Sequence, residues 1–240
     1  MSFVDCCPLL CWLRMYDHSL CSYDPAKDTG LHALSYRIRL AHKYGVEDLL
    51  KQSLDELQKQ FPVNLSKWDA LAPAYTPRAI TAVNLARLTE THAVLPSALY
   101  ACCQLPEDVL RAGTTHPDGT RETLGHADLA RCLAMRAGLC KKNAGLPGQV
   151  FLRERCRCGR EACPLVIDRL CARAVAHAEE PEHRADVLMR WERFAKSANG
   201  VGTCGECEEL LFACIRARRM FYWRCLPEWM GVGPVSYWDA

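Results

Sequence analysis

The segment "LHALSYRIRLAHKYGVEDLLKQSLDELQKQF" (31–61) decides the fold, because it joins two helical apolar patterns with a glycine between them. In its first half, apolar residues recur at intervals of three and four from Leu31 to Ala41, as they do on one face of an α-helix. Gly45 interrupts this pattern, and the second half repeats it until Pro62. The segment therefore predicts two helices joined by a tight turn and packed as a hairpin.

Helical periodicity continues over most of the remaining chain, and no segment shows a convincing strand pattern. A turn or small hairpin is predicted around Asp118-Gly119, and a loop over 141–149. Further helices are predicted over 76–92, 95–105, 105–113, 126–140, 164–180, 184–198 and 207–226. In the last helix, the core-facing stripe is assigned to Leu210, Cys214, Phe221 and Cys225, flanked by Leu211, Ile215 and Tyr222. The sequence thus predicts a mostly α-helical protein.

The hairpin resembles the last helical pair of a BTB/POZ domain. The most specific part of the resemblance is an A-x-K-Y-x-V-x-x-L rhythm, formed here by Ala41, Lys43, Tyr44, Val46 and Leu49. Upstream, "WLRMYD" is similar to the helix that ends in Leu-x-x-Tyr in the same domain. The hairpin is accordingly interpreted as the C-terminal end of such a domain.

Residues 12–232 resemble one type of BTB protein that is abundant in mushroom-forming fungi. The matching segments are "NLARLTETHAVLPSALYACC", "HPDGTRETLGHADLARCLAMR" and "CGECEELLFACIRARRMFYWRCLPEWMGV". The strands and helices that begin a BTB domain have no counterpart before Trp12, so the resemblance implies a domain truncated on its N-terminal side. It implies a partial BTB/POZ domain over 1–61, a linker over 62–76 and a cysteine-rich all-α domain over 77–240.

The function that this resemblance implies is that of a non-catalytic adaptor. BTB proteins pair with themselves, with cullin-class ubiquitin ligases or with transcriptional partners. The hairpin is the expected contact, and its partner-binding residues are assigned to Leu34, Ile38, Tyr44, Val46 and Leu50. The alternative is that these same residues only form core.

Two cysteine-rich stretches, "CRCGREAC" (156–163) and "CGEC" (204–207), stand out among 16 cysteines. A tetrahedral zinc site needs four Cys or His ligands, commonly supplied as two close pairs. A C-x₄-C pair and a C-x₂-C pair predict a structural zinc site with the ligands Cys158, Cys163, Cys204 and Cys207.

The cysteine pattern also allows other interpretations. Cys156 competes with Cys158 for a ligand place, and His177 and His183 are substitute ligands. One alternative is that the cysteines are reduced thiols that bind no metal. Another is a thiol-redox protein, although no βαβ pattern surrounds "CGEC". A zinc-stabilised nucleic-acid or chromatin binder is the further alternative, since arginines crowd residues 153–160.

Charge, motifs and segment hydrophobicity argue against several broad classes of protein. The formal net charge is +2, which provides no field to attract nucleic acid or an anionic membrane. No established catalytic or phosphate-binding motif occurs, so we expect neither an enzyme nor a small-molecule substrate. No signal peptide or membrane span is recognised, and we expect an intracellular protein, nuclear or cytoplasmic.

Overall fold

The structure is a computed structural model that describes residues 30–71, 75–152, 156, 158–181, 183–197 and 202–239. The predicted BTB-like helix at residues 12–17 lies outside the described residues. Arg153, Arg155 and Arg157 of the arginine-rich run also lie outside them, whereas Arg160 is described and exposed.

The described residues form ten α-helices, one 3₁₀ turn at His92–Val94 and one short antiparallel ribbon. In chain order the elements are α1 (Leu31–Tyr44), α2 (Glu47–Gln60), α3 (Leu65–Leu71), α4 (Arg78–Leu88), α5 (Leu95–Gln104), α6 (Glu107–Ala112), β1 (Thr114–Thr115), β2 (Arg121–Glu122), α7 (His126–Val150), α8 (Ala162–Glu179), α9 (Trp191–Ser197) and α10 (Gly205–Trp229). The mostly α-helical fold class is confirmed.

The predicted hairpin is formed by α1 and α2, which pack against each other. Gly45 ends α1 with a φ of 66°, a left-handed conformation that glycine adopts without steric cost. The N–H of Val46 donates to the carbonyl of Ala41 at 2.9 Å and so closes the turn. The glycine between the two apolar patterns therefore sets the hairpin, as the sequence predicts.

The centre of the molecule is α5, in which all ten residues are buried. Its sequence is apolar on every side, as expected for a helix surrounded by others. It packs against α4, α7 and α10, while α1 of the hairpin packs against α4. The ribbon pairs Thr114 with Glu122 and Thr115 with Arg121, and it encloses the predicted Asp118-Gly119 turn.

The segment 62–76, predicted as a linker, contains α3. Trp68 of α3 is buried, and it belongs to the same hydrophobic cluster as the hairpin and the C-terminal helices. Its ring contacts those of Tyr100 and Trp223 at centroid distances of 6.1 and 5.6 Å. The hydrophobic core is thus continuous across this segment.

The predicted loop over 141–149 is wrong, because α7 continues through it to Val150. Pro147 removes one backbone donor from the helix, and glycines nearby weaken helix propensity. Leu146 and Val150 are nevertheless buried in the core. Their burial outweighs the local preference, as tertiary packing commonly does.

The predicted helix over 184–198 is only partly formed, since the described helical residues are Trp191–Ser197. The predicted helical residues before Trp191 form turns rather than a helix. Asp186 explains the difference, because its carboxylate Oδ1 accepts the backbone N–H of Leu188 at 3.1 Å. Such a side-chain bond to the backbone competes with helix formation.

The last helix is correctly predicted, but its core stripe is not. Leu210 and Phe221 of the predicted stripe are 43% and 52% exposed. The side chains that face the core are instead Leu211, Ile215, Tyr222, Trp223 and Leu226. The buried face is therefore turned by about one residue, or roughly 100°, from the predicted one.

Candidate functional site

Four thiols converge where the segment after α7 meets the starts of α8 and α10. The Sγ atoms of Cys156, Cys158, Cys163 and Cys207 all lie within 4.8 Å of one another. Cys156 Sγ lies 3.5 Å from Cys158 Sγ and 3.3 Å from Cys207 Sγ. All four are free cysteines, and we call them the thiol tetrad.

Two helix starts and one loop position the tetrad. Cys163 is the second residue of α8, and Cys207 lies in the first turn of α10. Cys156 and Cys158 come from the loop between α7 and α8, where Gly159 adopts a φ of 70°. A side chain at that φ would be strained, so glycine lets the loop turn towards α8.

An apolar wall adjoins the tetrad. Val150, Leu152, Ile167 and Leu211 line a small hollow beside Cys156 and Cys207. Cys163 and Cys207 are buried, whereas Cys156 and Cys158 are half-buried. The tetrad thus lies at the edge of the core, shielded on one side and reached by solvent on the other.

The thiols differ in acidity. The backbone N–H of Arg160, followed by neighbouring thiols, lowers the pKa of Cys158 to about 6, although burial opposes the shift. Burial, with hydrogen bonds that the protonated Cys207 thiol donates to neighbouring thiols, raises the pKa of Cys207 above its usual value. The N-terminus of a helix such as α10 favours a thiolate, but at Cys207 desolvation outweighs that effect. The lowered pKa of Cys158 favours its thiolate near neutral pH, and metal binding would release protons from the thiols that still carry them.

The tetrad and the predicted ligand set share Cys158, Cys163 and Cys207. Cys156, which was predicted to compete with Cys158, occurs in the tetrad together with it. Cys204 is not part of the tetrad but adjoins it at the N-cap of α10. Its backbone N–H donates to Cys163 Sγ at 3.3 Å, and its thiol hydrogen-bonds those of Cys163 and Cys207. Four mutually close thiols of this kind can hold a metal ion.

The residues predicted to bind a partner fall into two groups. Leu34 and Ile38 are buried in the core, so they add nothing to the surface of this chain. Tyr44 is 46% exposed, while Val46 and Leu50 are half-buried. The part of the predicted contact that reaches solvent is thus the turn end of the hairpin.

Among the described residues, no further cysteine belongs to the tetrad, although Cys204 adjoins it and Cys214 lines the same hollow. Cys102 and Cys132 are buried on helices, whereas Cys171, Cys214 and Cys225 are half-buried. The predicted substitute ligands His177 and His183 lie together with Glu180 in a second group, away from the thiols.

The fold and the tetrad together define a class: a mostly α-helical, cysteine-rich protein with a four-thiol cluster able to hold a metal ion. No protein-family model matches the chain, and no curated protein or solved structure matches it either. Within the described residues, every helix is too short or too polar to cross a membrane.

Proposed function

We propose that this chain is a non-catalytic protein-interaction module whose C-terminal half is held together by a structural zinc ion in the thiol tetrad. The observation that carries the proposal is the mutual approach of four thiols, within 4.8 Å, from two stretches of the chain that are distant in sequence. Tetrahedral zinc–thiolate geometry places sulfur atoms about 3.8 Å apart. The Sγ separations of 3.3 and 3.5 Å need little adjustment to reach that value.

Four protein ligands favour a structural role over a catalytic one. A catalytic zinc site keeps one position open for water or substrate, whereas a Cys₄ site fills all four. Zinc in the tetrad would fix the loop before α8 against the start of α10. Its binding free energy would then stabilise the fold.

The interaction role rests on the resemblance to BTB/POZ adaptors and on the exposed end of the hairpin. We propose a second copy of the chain or a cullin-class ubiquitin ligase as the partner. Tyr44 is the proposed contact, flanked by Val46 and Leu50. Aromatic residues of this kind often dominate binding energy at protein interfaces.

Metal analysis tests the structural part of the proposal. Purified protein should contain close to one zinc ion per chain, and Cys207→Ser should lose that zinc and destabilise α10. Cys140→Ser is the matched control, because Cys140 is a half-buried free cysteine on α7 outside the tetrad. Metal-free protein that is fully folded, as judged by circular dichroism and thermal unfolding, would refute it.

Sedimentation velocity tests the interaction part. Self-association, or binding to a purified cullin, should weaken on Tyr44→Asp and persist on Tyr237→Asp. Tyr237 is the matched control because it is an exposed tyrosine near the end of the chain. Loss of binding in both variants, or in neither, would contradict the proposed contact.

A further inference from the structure

A second group of metal-ligating side chains lies at the C-terminal end of α8. The ligand atoms of His177, Glu180 and His183 all lie within 4.8 Å of one another. His177 Nδ1 is 3.0 Å from Glu180 Oε2, and His183 Nε2 is 3.7 Å from the same oxygen. We propose that this triad binds one divalent late transition metal ion, Zn²⁺ or an ion of similar preference, independently of the thiol tetrad.

The distances suit such an ion. Zinc bonds of about 2.0–2.1 Å to nitrogen and oxygen, at tetrahedral angles, separate the ligand atoms by about 3.3 Å. The two observed distances to Glu180 Oε2 lie on either side of that value. A metal ion could therefore enter between the three side chains after small rotations of each.

The backbone fixes the order of the three ligands. The N–H of Glu180 donates to the carbonyl of His177 at 3.3 Å, and the N–H of His183 donates to the carbonyl of Glu180 at 3.0 Å. These two successive turns place residues three apart on one side of the chain. Asn143 of α7 then holds the His183 carbonyl through its Nδ2 at 2.8 Å.

Aromatic packing fixes the His177 ring. It stacks on Phe194 with centroids 5.1 Å apart and an interplanar angle of 16°. Trp191 meets the same ring edge-on at 6.2 Å. The His177 and His183 rings lie 4.3 Å apart. A ring held in this way loses little further freedom on binding a metal ion, which favours affinity.

Three protein ligands leave the proposed site open. Two histidines and one carboxylate form a donor set that zinc uses when a fourth position is left for water or another ligand. Glu180 is 47% exposed at its side chain, so that position would face solvent. The triad and the tetrad lie near opposite ends of α8, since Cys163 and His177 are 14 residues, or about 21 Å, apart along the helix.

Calorimetry with Ni²⁺ as the probe tests the proposal on the protein as purified, with the one zinc ion of the tetrad bound and the open triad empty. One equivalent should bind, and Glu180→Gln and His183→Gln should each weaken binding by about tenfold or more, since changes even beyond the ligands have effects of that size. Glu179→Gln and His92→Gln are the matched controls, because both residues are exposed and lie outside the triad. Their affinity should equal that of the parent protein.

Imidazole NMR gives a second readout that does not depend on the tetrad. Zinc titration should shift the ring signals of His177 and His183, assigned through the His→Gln variants, and leave those of His92 unchanged. Thiolate-to-metal absorption on adding Co²⁺ would report the tetrad separately, so the two sites can fail independently. Unmoved triad signals, or Ni²⁺ binding that survives Glu180→Gln, would overturn the proposal.

Discussion

Arg219 of α10 and Asp69 of α3 form a bidentate ion pair, although 150 residues separate them in sequence. Arg219 Nη1 donates to Asp69 Oδ2 at 2.9 Å, and its Nη2 contacts Oδ1. The Nε atom donates to the Leu188 carbonyl at 2.8 Å. The Arg219 side chain is almost fully buried, so this ion pair ties the predicted linker segment to the last helix.

Removing the Asp69 charge should destabilise the fold. Asp69→Asn leaves the Arg219 guanidinium buried without its counter-charge, and we expect a loss of about 3 kcal/mol in the free energy of unfolding. Urea unfolding followed by circular dichroism measures the loss. Glu107→Gln is the control, because it breaks an exposed pair with Arg111 and should cost less than about 0.5 kcal/mol. Equal losses in the two variants would show that burial of the pair is unimportant.

Glu122 is the hub of a second polar network. Its carboxylate accepts hydrogen bonds from Thr81 at 2.8 Å and Asn84 at 2.9 Å, and it lies 2.7 Å from His116 Nε2. Burial alone would raise the pKa of Glu122, but these hydrogen bonds and the charge of Arg39 together hold it below its ordinary value. The network joins the ribbon to α1 and α4.

The depressed pKa of Glu122 predicts a specific acid response. A carboxyl group with a lowered pKa in the folded state stabilises the fold above its unfolded pKa, and this stability is lost as pH falls through the folded pKa. Glu122→Gln should therefore cost about 2 kcal/mol at pH 7 and flatten the acid limb of stability against pH. Asp55→Asn, at an exposed position on α2, should leave the curve unchanged. A parallel downward shift of the whole curve would contradict the assignment.

Asp186 should show the opposite pH dependence. Burial raises its pKa, although the hydroxyl of Tyr100 donates to Oδ1 at 2.6 Å and opposes the shift. Between the ordinary pKa and the raised one the folded state binds more protons, so this group lowers stability as pH rises through that window. Asn at this position can still accept the hydrogen bonds that the Tyr100 hydroxyl and the Leu188 N–H donate to Oδ1. Asp186→Asn should thus gain stability relative to the parent protein from pH 4 to pH 7, as measured by urea unfolding, and a relative loss would refute the argument.

The register of α10 can be tested with two adjacent leucines. Leu211 is 5% exposed and Leu210 is 43% exposed. Leu211→Ala should cost about 2–4 kcal/mol, because it opens a cavity in the core. Leu210→Ala should cost less than about 1 kcal/mol, since its side chain already meets water. The reverse order of losses in thermal or urea unfolding would restore the register predicted from sequence.

The sequence predicts most helices correctly but not always which side of a helix is buried, and α10 shows why. Two apolar stripes run side by side along this helix, one through Leu210 and Phe221 and the other through Leu211 and Tyr222. Both stripes have the same helical spacing, so the sequence pattern cannot distinguish them, and packing against the neighbouring helices selects the buried one. Pro147 in α7 illustrates the converse error, because a local breaker was given more weight than the burial of residues around it.

The candidate site was predicted in part for a similar reason. The stretches 156–163 and 204–207 were singled out, because closely spaced cysteines are a local signal. The path of the loop before α8 and the angle at which α10 approaches determine which thiols come together. Residue spacing in the sequence determines neither of them. The triad of His177, Glu180 and His183 has a local i, i+3, i+6 signal, yet the two histidines were considered only as substitutes for cysteines.

The tetrad and the ligand set predicted from sequence differ by one residue, and metal content can decide between them. In the structure, Cys156 contributes a thiol to the tetrad, while Cys204 lies beside it and reaches Cys163 through its backbone N–H as well as its thiol. Serine keeps that N–H but is a poor ligand for zinc. Cys156→Ser should therefore lose the metal and destabilise the C-terminal half, whereas Cys204→Ser should keep close to one zinc ion per chain. Zinc retained in Cys156→Ser and lost in Cys204→Ser would favour the ligands predicted from sequence over the observed tetrad.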